Sequence, residues 1–99
     1  MIATDEGARG GHRKFSLGTV VATANAHRSL PPEEVLLALR CHARCDWGDV
    51  DKEDWAANER ALAERTRLLS VYHTEAGTKF WVITEADRSS TTVLLPEDY

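Results

Sequence analysis

The alternation of apolar and polar positions is clearest in the last third of the chain. Two β-rich runs, Arg67–Thr74 and Thr78–Glu85, flank Glu75-Ala76-Gly77. That is the pattern of a three-residue hairpin loop with its glycine in the left-handed conformation. Pairing Thr74 with Thr78 sets Tyr72 opposite Phe80, Val71 opposite Trp81 and Leu69 opposite Ile83. One face then carries Leu69, Val71, Trp81 and Ile83 and is the expected core side. The other carries Leu68, Tyr72, Phe80 and Val82 together with Ser70 and Thr84. A sheet with one solvated side does not need a second apolar face. The N-terminal strand and first helix, or a partner, should therefore cover it. Thr91–Leu95 reads as a third strand, stopped by Pro96.

Upstream, the β-branched run Gly18–Thr23 predicts a short strand, and Thr23 is placed to cap a helical turn through Ala24–His27. Leu30-Pro31-Pro32-Glu33-Glu34 is a helix start, with proline in the first turn and early carboxylates on the positive end of the dipole. This helix is expected from about Pro32 to Cys45, with Val35, Leu36, Leu39 and Ala43 as its apolar stripe. Asp46–Asp49 ends it, Gly48 suiting a left-handed residue. Asp51 is an N-cap candidate with Asp54 three residues on. A second helix, about Lys52–Arg65, puts Trp55, Ala56, Glu59, Leu62 and Ala63 in register. The expected class is α+β: a short N-terminal strand, two helices, then a C-terminal three-stranded antiparallel meander. Residues 1–13 mix Gly, Asp, Glu and Arg and read as a flexible N-terminal tail before a single domain, 14–99.

Composition narrows the function classes. The 99 residues are 42% hydrophobic and 28% charged, ordinary for a folded domain and far from a disordered one. No apolar run approaches the ~20 residues of a membrane span, and no apolar stretch of signal-peptide type opens the chain. Two cysteines, Cys41 and Cys45, are too few for a disulfide scaffold, so a reducing cytoplasm is the expected compartment. Net charge is −4, and the segment Asp46–Asp54 alone, with five carboxylates against Lys52, carries the same charge. No basic patch stands out, which argues against direct nucleic-acid binding.

Three groups of residues could carry chemistry. Cys41 and Cys45 lie one helical turn apart and, with His27 or His73, could hold zinc. Burial as small apolar residues in a helix interface is the stronger reading, and no metal or cofactor is expected. The acidic turn with Asp46, Asp49, Trp47 and Trp55 lacks the pattern of a calcium loop. Its carboxylates read as an N-cap and a complement to the helix dipole ahead of a metal site, and tryptophan beside charge also has the composition of an interaction hot spot. Glu85, Asp87, Arg88, Ser89, Ser90, Thr91 and Thr92 form the densest polar group. Arg88 among hydroxyls could hold a phosphate or carboxylate, or the loop could be solvated, with Asp87 and Ser89 making local turn bonds. No catalytic triad, zinc-protease motif or glycine-rich phosphate loop is present in the sequence.

Several stretches also carry a family resemblance: Cys45-Asp-Trp-Gly-Asp-Val50, Asn58-Glu-Arg-Ala-Leu62, Arg67-Leu-Leu-Ser-Val-Tyr72 and the segment Trp81–Tyr99. From about Phe15 to Tyr99 the chain resembles a family of small bacterial proteins of plasmids and integrated mobile elements. Some of its members bear the label of a restriction–modification subunit. A chain of this length has no room for a methyltransferase domain. The family carries glycine where this chain has Cys45, which speaks against a zinc ligand there. The resemblance implies genomic company rather than a mechanism: regulation, counter-defence or toxin–antitoxin pairing.

The expected role is accordingly a non-enzymatic interaction or regulatory protein, in one version an anti-defence inhibitor. Its partner surface would draw on Asp46, Trp47, Asp49, Trp55, Glu85, Asp87, Arg88, Ser89 and Thr91. The partner would be a protein, and a homodimer through the second face of the meander is a further expectation. The competing expectation is a ribonuclease toxin of the RelE or barnase type, with Arg67, Tyr72, Glu85 and Arg88 as acid–base and phosphate-binding groups.

Overall fold

The computed structural model describes residues 13–99, so the expected tail lies outside the described residues except for Arg13. The order of elements is β1 (Thr19–Ala22), α1 (Ala24–Ser29), α2 (Pro32–Ala43), α3 (Lys52–Glu64), β2 (Leu68–His73), β3 (Lys79–Thr84), β4 (Ser90–Leu94) and a closing 3-10 turn, Pro96–Asp98. The class is α+β, with three helices and one four-stranded sheet, in the order β1-β4-β3-β2, among the described residues. Among the described residues no helix is long and apolar enough to cross a membrane.

The meander has the predicted register: Tyr72 pairs with Phe80, Val71 with Trp81 and Leu69 with Ile83. Gly77, at φ +98°, closes the loop, and its N–H donates to Thr74 O at 2.8 Å. The sheet itself differs from the expectation. β1 does not stay separate but pairs in parallel with β4, Val20 beside Thr91 and Val21 beside Thr92, so the sheet is mixed. The turn after Thr23 is a full six-residue helix, α1, with Thr23 Oγ1 accepting from Ala26 N–H.

The core side of the sheet is the reverse of the one the pattern suggested. Phe80, Val82 and Val93 are fully buried against Ala26, Leu30 and Ala38, with Val35, Leu39 and Tyr72 completing the layer. Leu68 lies on the same face and packs with Trp47 and Ala61, a second cluster that takes in Phe15, Cys45, Val50 and Leu62. Helices therefore cover the Leu68–Tyr72–Phe80–Val82 face. Ser70 and Thr84 made that face look polar, yet both are buried to 0% exposure. On the opposite face Val71, Ile83 and Leu94 are buried, Leu69 and Trp81 are half-buried, and the Trp81 ring meets the Tyr99 ring edge-on at 5.5 Å.

The helix stripes are also shifted from expectation. In α2 the buried positions are Ala38, His42 and Ala43, while Leu36 is exposed. In α3 they are Asn58 and Ala61, while Trp55, Ala56, Glu59 and Ala63 are exposed. The α3 helix lies along the edge strand β2. Asn58 Nδ2 donates to Leu69 O at 2.7 Å, and Asn58 Oδ1 accepts from Leu69 N–H at 3.1 Å. Val71 N–H donates to Trp47 O and Asp49 N–H to Val71 O. The outward backbone groups of Leu69 and Val71, which would otherwise invite another strand, are thus satisfied internally.

Two ends of α2 and α3 explain local sequence choices. The α2 helix closes with Asp46 N–H on Cys41 O and Cys45 N–H on His42 O, the paired bonds of a Schellman ending. Cys45, not Gly48, holds its left-handed position, at φ +68°. Gly48, at φ +79°, serves a different need: a Cβ there would sit 2.0 Å from Val71 O, inside the bridge between Gly48 and β2. Asp51 caps α3 by accepting from Asp54 N–H at 2.8 Å, as expected, and Arg65 ends it in the left-handed region at φ +60°.

Opposite effects are expected at the two left-handed sites. Gly48→Ala should destabilise by more than ~2 kcal/mol, because clash and strain coincide. Arg65→Gly, at an exposed position, should stabilise by about 0.5–1 kcal/mol by relieving left-handed strain. Urea denaturation of the two variants measures both.

Candidate partner-binding surface and the buried polar core

A connected group of polar side chains lies inside this protein. His42, on the sheet-facing side of α2, is 0% exposed, as are Ser70, Thr84 and Thr91. They form one chain of hydrogen bonds. Ser70 Oγ lies 2.6 Å from His42 Nδ1, His42 Nε2 lies 2.9 Å from Thr84 Oγ1, and Thr84 Oγ1 lies 2.7 Å from Thr91 Oγ1. Thr91 Oγ1 donates to Leu17 O at 2.7 Å.

The end of this chain fixes its direction. A carbonyl only accepts, so Thr91 spends its proton on Leu17 O and must accept from Thr84. Thr84 must then accept from His42, which puts the imidazole proton on Nε2. Nδ1 is left as acceptor for the Ser70 hydroxyl. The histidine is neutral with a single tautomer. Burial, and secondarily the charge of Arg88, lower its pKa from 6.5 to about 3. A serine hydroxyl bonded to an imidazole is the pairing of a nucleophile with its base. Here no reactant can reach it, because both groups are sealed in the core.

Arg88 is buried as well, at 7% exposure. Its guanidinium donates to Thr66 O at 2.7 Å, Ala61 O at 3.1 Å, Glu85 O at 3.2 Å and Ala86 O at 3.3 Å. It also lies 5.7 Å from the centre of the Phe15 ring. Ala61 is in the last turn of α3, and its carbonyl also accepts from Arg65 N–H and, at 3.0 Å, from Thr66 N–H. Arg88 thus adds further donors at the C-terminal end of α3 and braces its own loop, and these donors are turned away from any surface anion. Burial lowers its pKa, with Arg65 adding repulsion.

The predicted partner-surface residues divide accordingly. Trp47 is fully buried, its indole N–H donating to Glu59 Oε2 at 2.8 Å and its ring packed on Phe15 and His42. Trp47, Arg88 and Thr91 belong to the interior and present no side chain to a partner. Asp87 and Ser89 are exposed and engaged locally, Ser89 N–H donating to Asp87 Oδ1 at 3.0 Å. Glu85 is half-buried and pairs with Arg67 at 3.4 Å, and Arg67 also donates to Tyr99 Oη at 2.8 Å. Asp46, Asp49 and Trp55 do lie on the surface. Asp49 Oδ2 meets His73 Nδ1 at 2.7 Å.

The four residues of the ribonuclease reading do not assemble. Arg67 and Glu85 meet on the surface, whereas Arg88 is buried. Tyr72 sits at the other end of β2, about 13 Å along the strand from Leu68, with its hydroxyl donating to Asp46 O at 2.6 Å. Among the described residues no group of three or more His, Cys, Asp or Glu could hold a metal. Cys41 and Cys45 are half-buried free thiols whose pKa values burial pushes up, with Asp46 and Glu59 respectively adding to the rise. Cys45 packs in the Trp47 cluster.

The fold and surface thus define a small α+β domain with a polar core and an acidic flank. Comparison with family models, curated proteins and solved structures finds no match to this chain in any of the three.

Protonation of His42 should be visible in stability. Its folded pKa lies below its unfolded value, so the unfolded chain takes up the proton first. The contribution is complete above about pH 6.5 and declines as pH falls toward about 3. The full decline is on the order of 4–5 kcal/mol as an upper bound. His42→Gln should lower stability at neutral pH and flatten this part of the curve, measured by denaturant unfolding from pH 7 to pH 4.

Proposed function

We propose that this is a non-catalytic binding protein that engages a basic surface on a protein partner through the acidic flank at the start of α3. The observation that carries the reading is the distribution of side chains. Asp46, Asp49, Asp51, Glu53 and Asp54 are all exposed, next to Trp55 at 37% exposure. His42, Ser70, Thr84, Thr91 and Arg88 are occupied in the core.

A concentrated negative surface steers association with a positive one. Trp55 supplies an aromatic contact of the kind that anchors interfaces. A surface of this sign suits a groove that otherwise receives nucleic acid, which agrees with a counter-defence role in the mobile-element family that the sequence resembles. In that reading Asp51 has a second duty as the cap of α3, so it is left intact in the test.

Affinity capture from bacteria carrying defence complexes, followed by mass spectrometry, tests the proposal. The variant Asp46→Asn, Asp49→Asn, Trp55→Ala should lose its captured protein by at least ~10-fold, and raised salt should weaken capture by the wild type. Circular dichroism of the variant should match the wild type. Retention of the same partner at the same yield would refute the acidic flank as the binding surface.

A further inference from the structure

The two edges of the sheet are treated differently. Along β2, Asn58 and the Trp47–Asp49 segment occupy the outward backbone groups of Leu69 and Val71. Along β1, Thr19 N–H bonds Ser89 O and Thr23 N–H bonds Val93 O. Thr19, Val21 and Thr23 therefore turn their amides toward β4, and Val20 and Ala22 turn theirs outward. Among the described residues nothing accepts from or donates to those outward groups. All four residues of β1 are exposed, with Val20 at 45% and Val21 at 46%. Edge strands are ordinarily guarded by a lysine, a proline, a bulge or a covering element. The β1 strand, Thr-Val-Val-Ala, has none of these side chains.

We propose that β1 is a self-association edge, pairing antiparallel with β1 of a second copy to make one continuous eight-stranded sheet. A two-fold axis through Val21 sets Val20 opposite Ala22 of the other copy, and Ala22 opposite its Val20. Each such pair exchanges both of its outward bonds, giving four hydrogen bonds and using the outward groups of Val20 and Ala22. Val21 meets Val21 across the axis at a closely spaced, non-hydrogen-bonded position, where β-branched side chains pack well.

Charge selects a second copy as the occupant. No charged residue lies between Leu17 and Ala26, so the pairing opposes no like charges. The acidic flank, which would repel its equivalent, adjoins β2 through the Gly48–Val71 bridge. That is three strand spacings away, about 14 Å. Two four-residue strands bury less than the roughly 800 Å² per partner of a stable interface, so the dimer is weak and concentration-dependent.

Sedimentation of the full chain from about 10 µM to about 1 mM, the range a small interface demands, reads the mass. It should rise from 11.0 kDa toward twice that value. Amide exchange at the same concentrations reads the edge. The Val20 and Ala22 amides should slow at least ~10-fold at the high end, while Val21, already bonded to β4, stays unchanged. Val21→Lys, which places two cations on the axis, and Ala22→Pro, which removes an outward donor, should both remain at 11.0 kDa. A wild-type mass constant at 11.0 kDa overturns the proposal. So does a dimer that forms without protecting Val20 and Ala22, or one that survives both variants.

Discussion

The hydrogen-bond chain from Ser70 through His42, Thr84 and Thr91 to the carbonyl of Leu17 is the constraint around which this fold is arranged. It joins α2 to β2, β3 and β4 in turn, then ties the sheet to the segment leading into β1. All four side chains in it are buried, and a buried polar group without a partner costs about 1–3 kcal/mol. The chain therefore admits few alternatives. A slip of α2 by one residue, or of a strand by one position, would strand several groups at once. Apolar packing of Phe80, Val82 and Val93 supplies attraction, but that attraction is not directional. The polar chain sets which face the helices cover and where α2 sits on it.

Arg88 plays the corresponding part at the other helix. Its guanidinium gathers carbonyls from the end of α3 and from its own loop, and Phe15 lies over it. An arginine buried without a carboxylate is tolerable here because its donors meet four carbonyl oxygens, two of them at the negative end of α3. The charge also bears on His42, where it adds to burial in disfavouring protonation. Burial first, and the Arg88 charge second, thus both favour a neutral imidazole.

This arrangement accounts for what the sequence revealed and what it hid. The hairpin, its register and the capping of α3 by Asp51 were legible, because turn glycines, period-two alternation and N-cap residues act locally. The core side was not. Ser70 and Thr84 counted as polar against their face, and only their meeting with His42, distant in sequence, makes them core residues. Arg88 and Trp47 misled for the same reason: a hydroxyl-rich loop and an acidic turn describe their sequence neighbours and not their spatial ones. The placement of β1 beside β4 depends on a long-range parallel pairing that leaves no local pattern. One signal was available for His42: a histidine three residues after Leu39 on the α2 stripe, facing a sheet that carried unexplained hydroxyls.

The most direct test of this account is nitrogen-15 NMR of the His42 ring across a pH titration. The expected spectrum is that of a neutral imidazole protonated on Nε2, with Nδ1 as acceptor, holding that form well below pH 6.5 and titrating near 3 or with acid unfolding. A ring that titrates near 6.5 in the folded protein, or one that carries its proton on Nδ1, would contradict it.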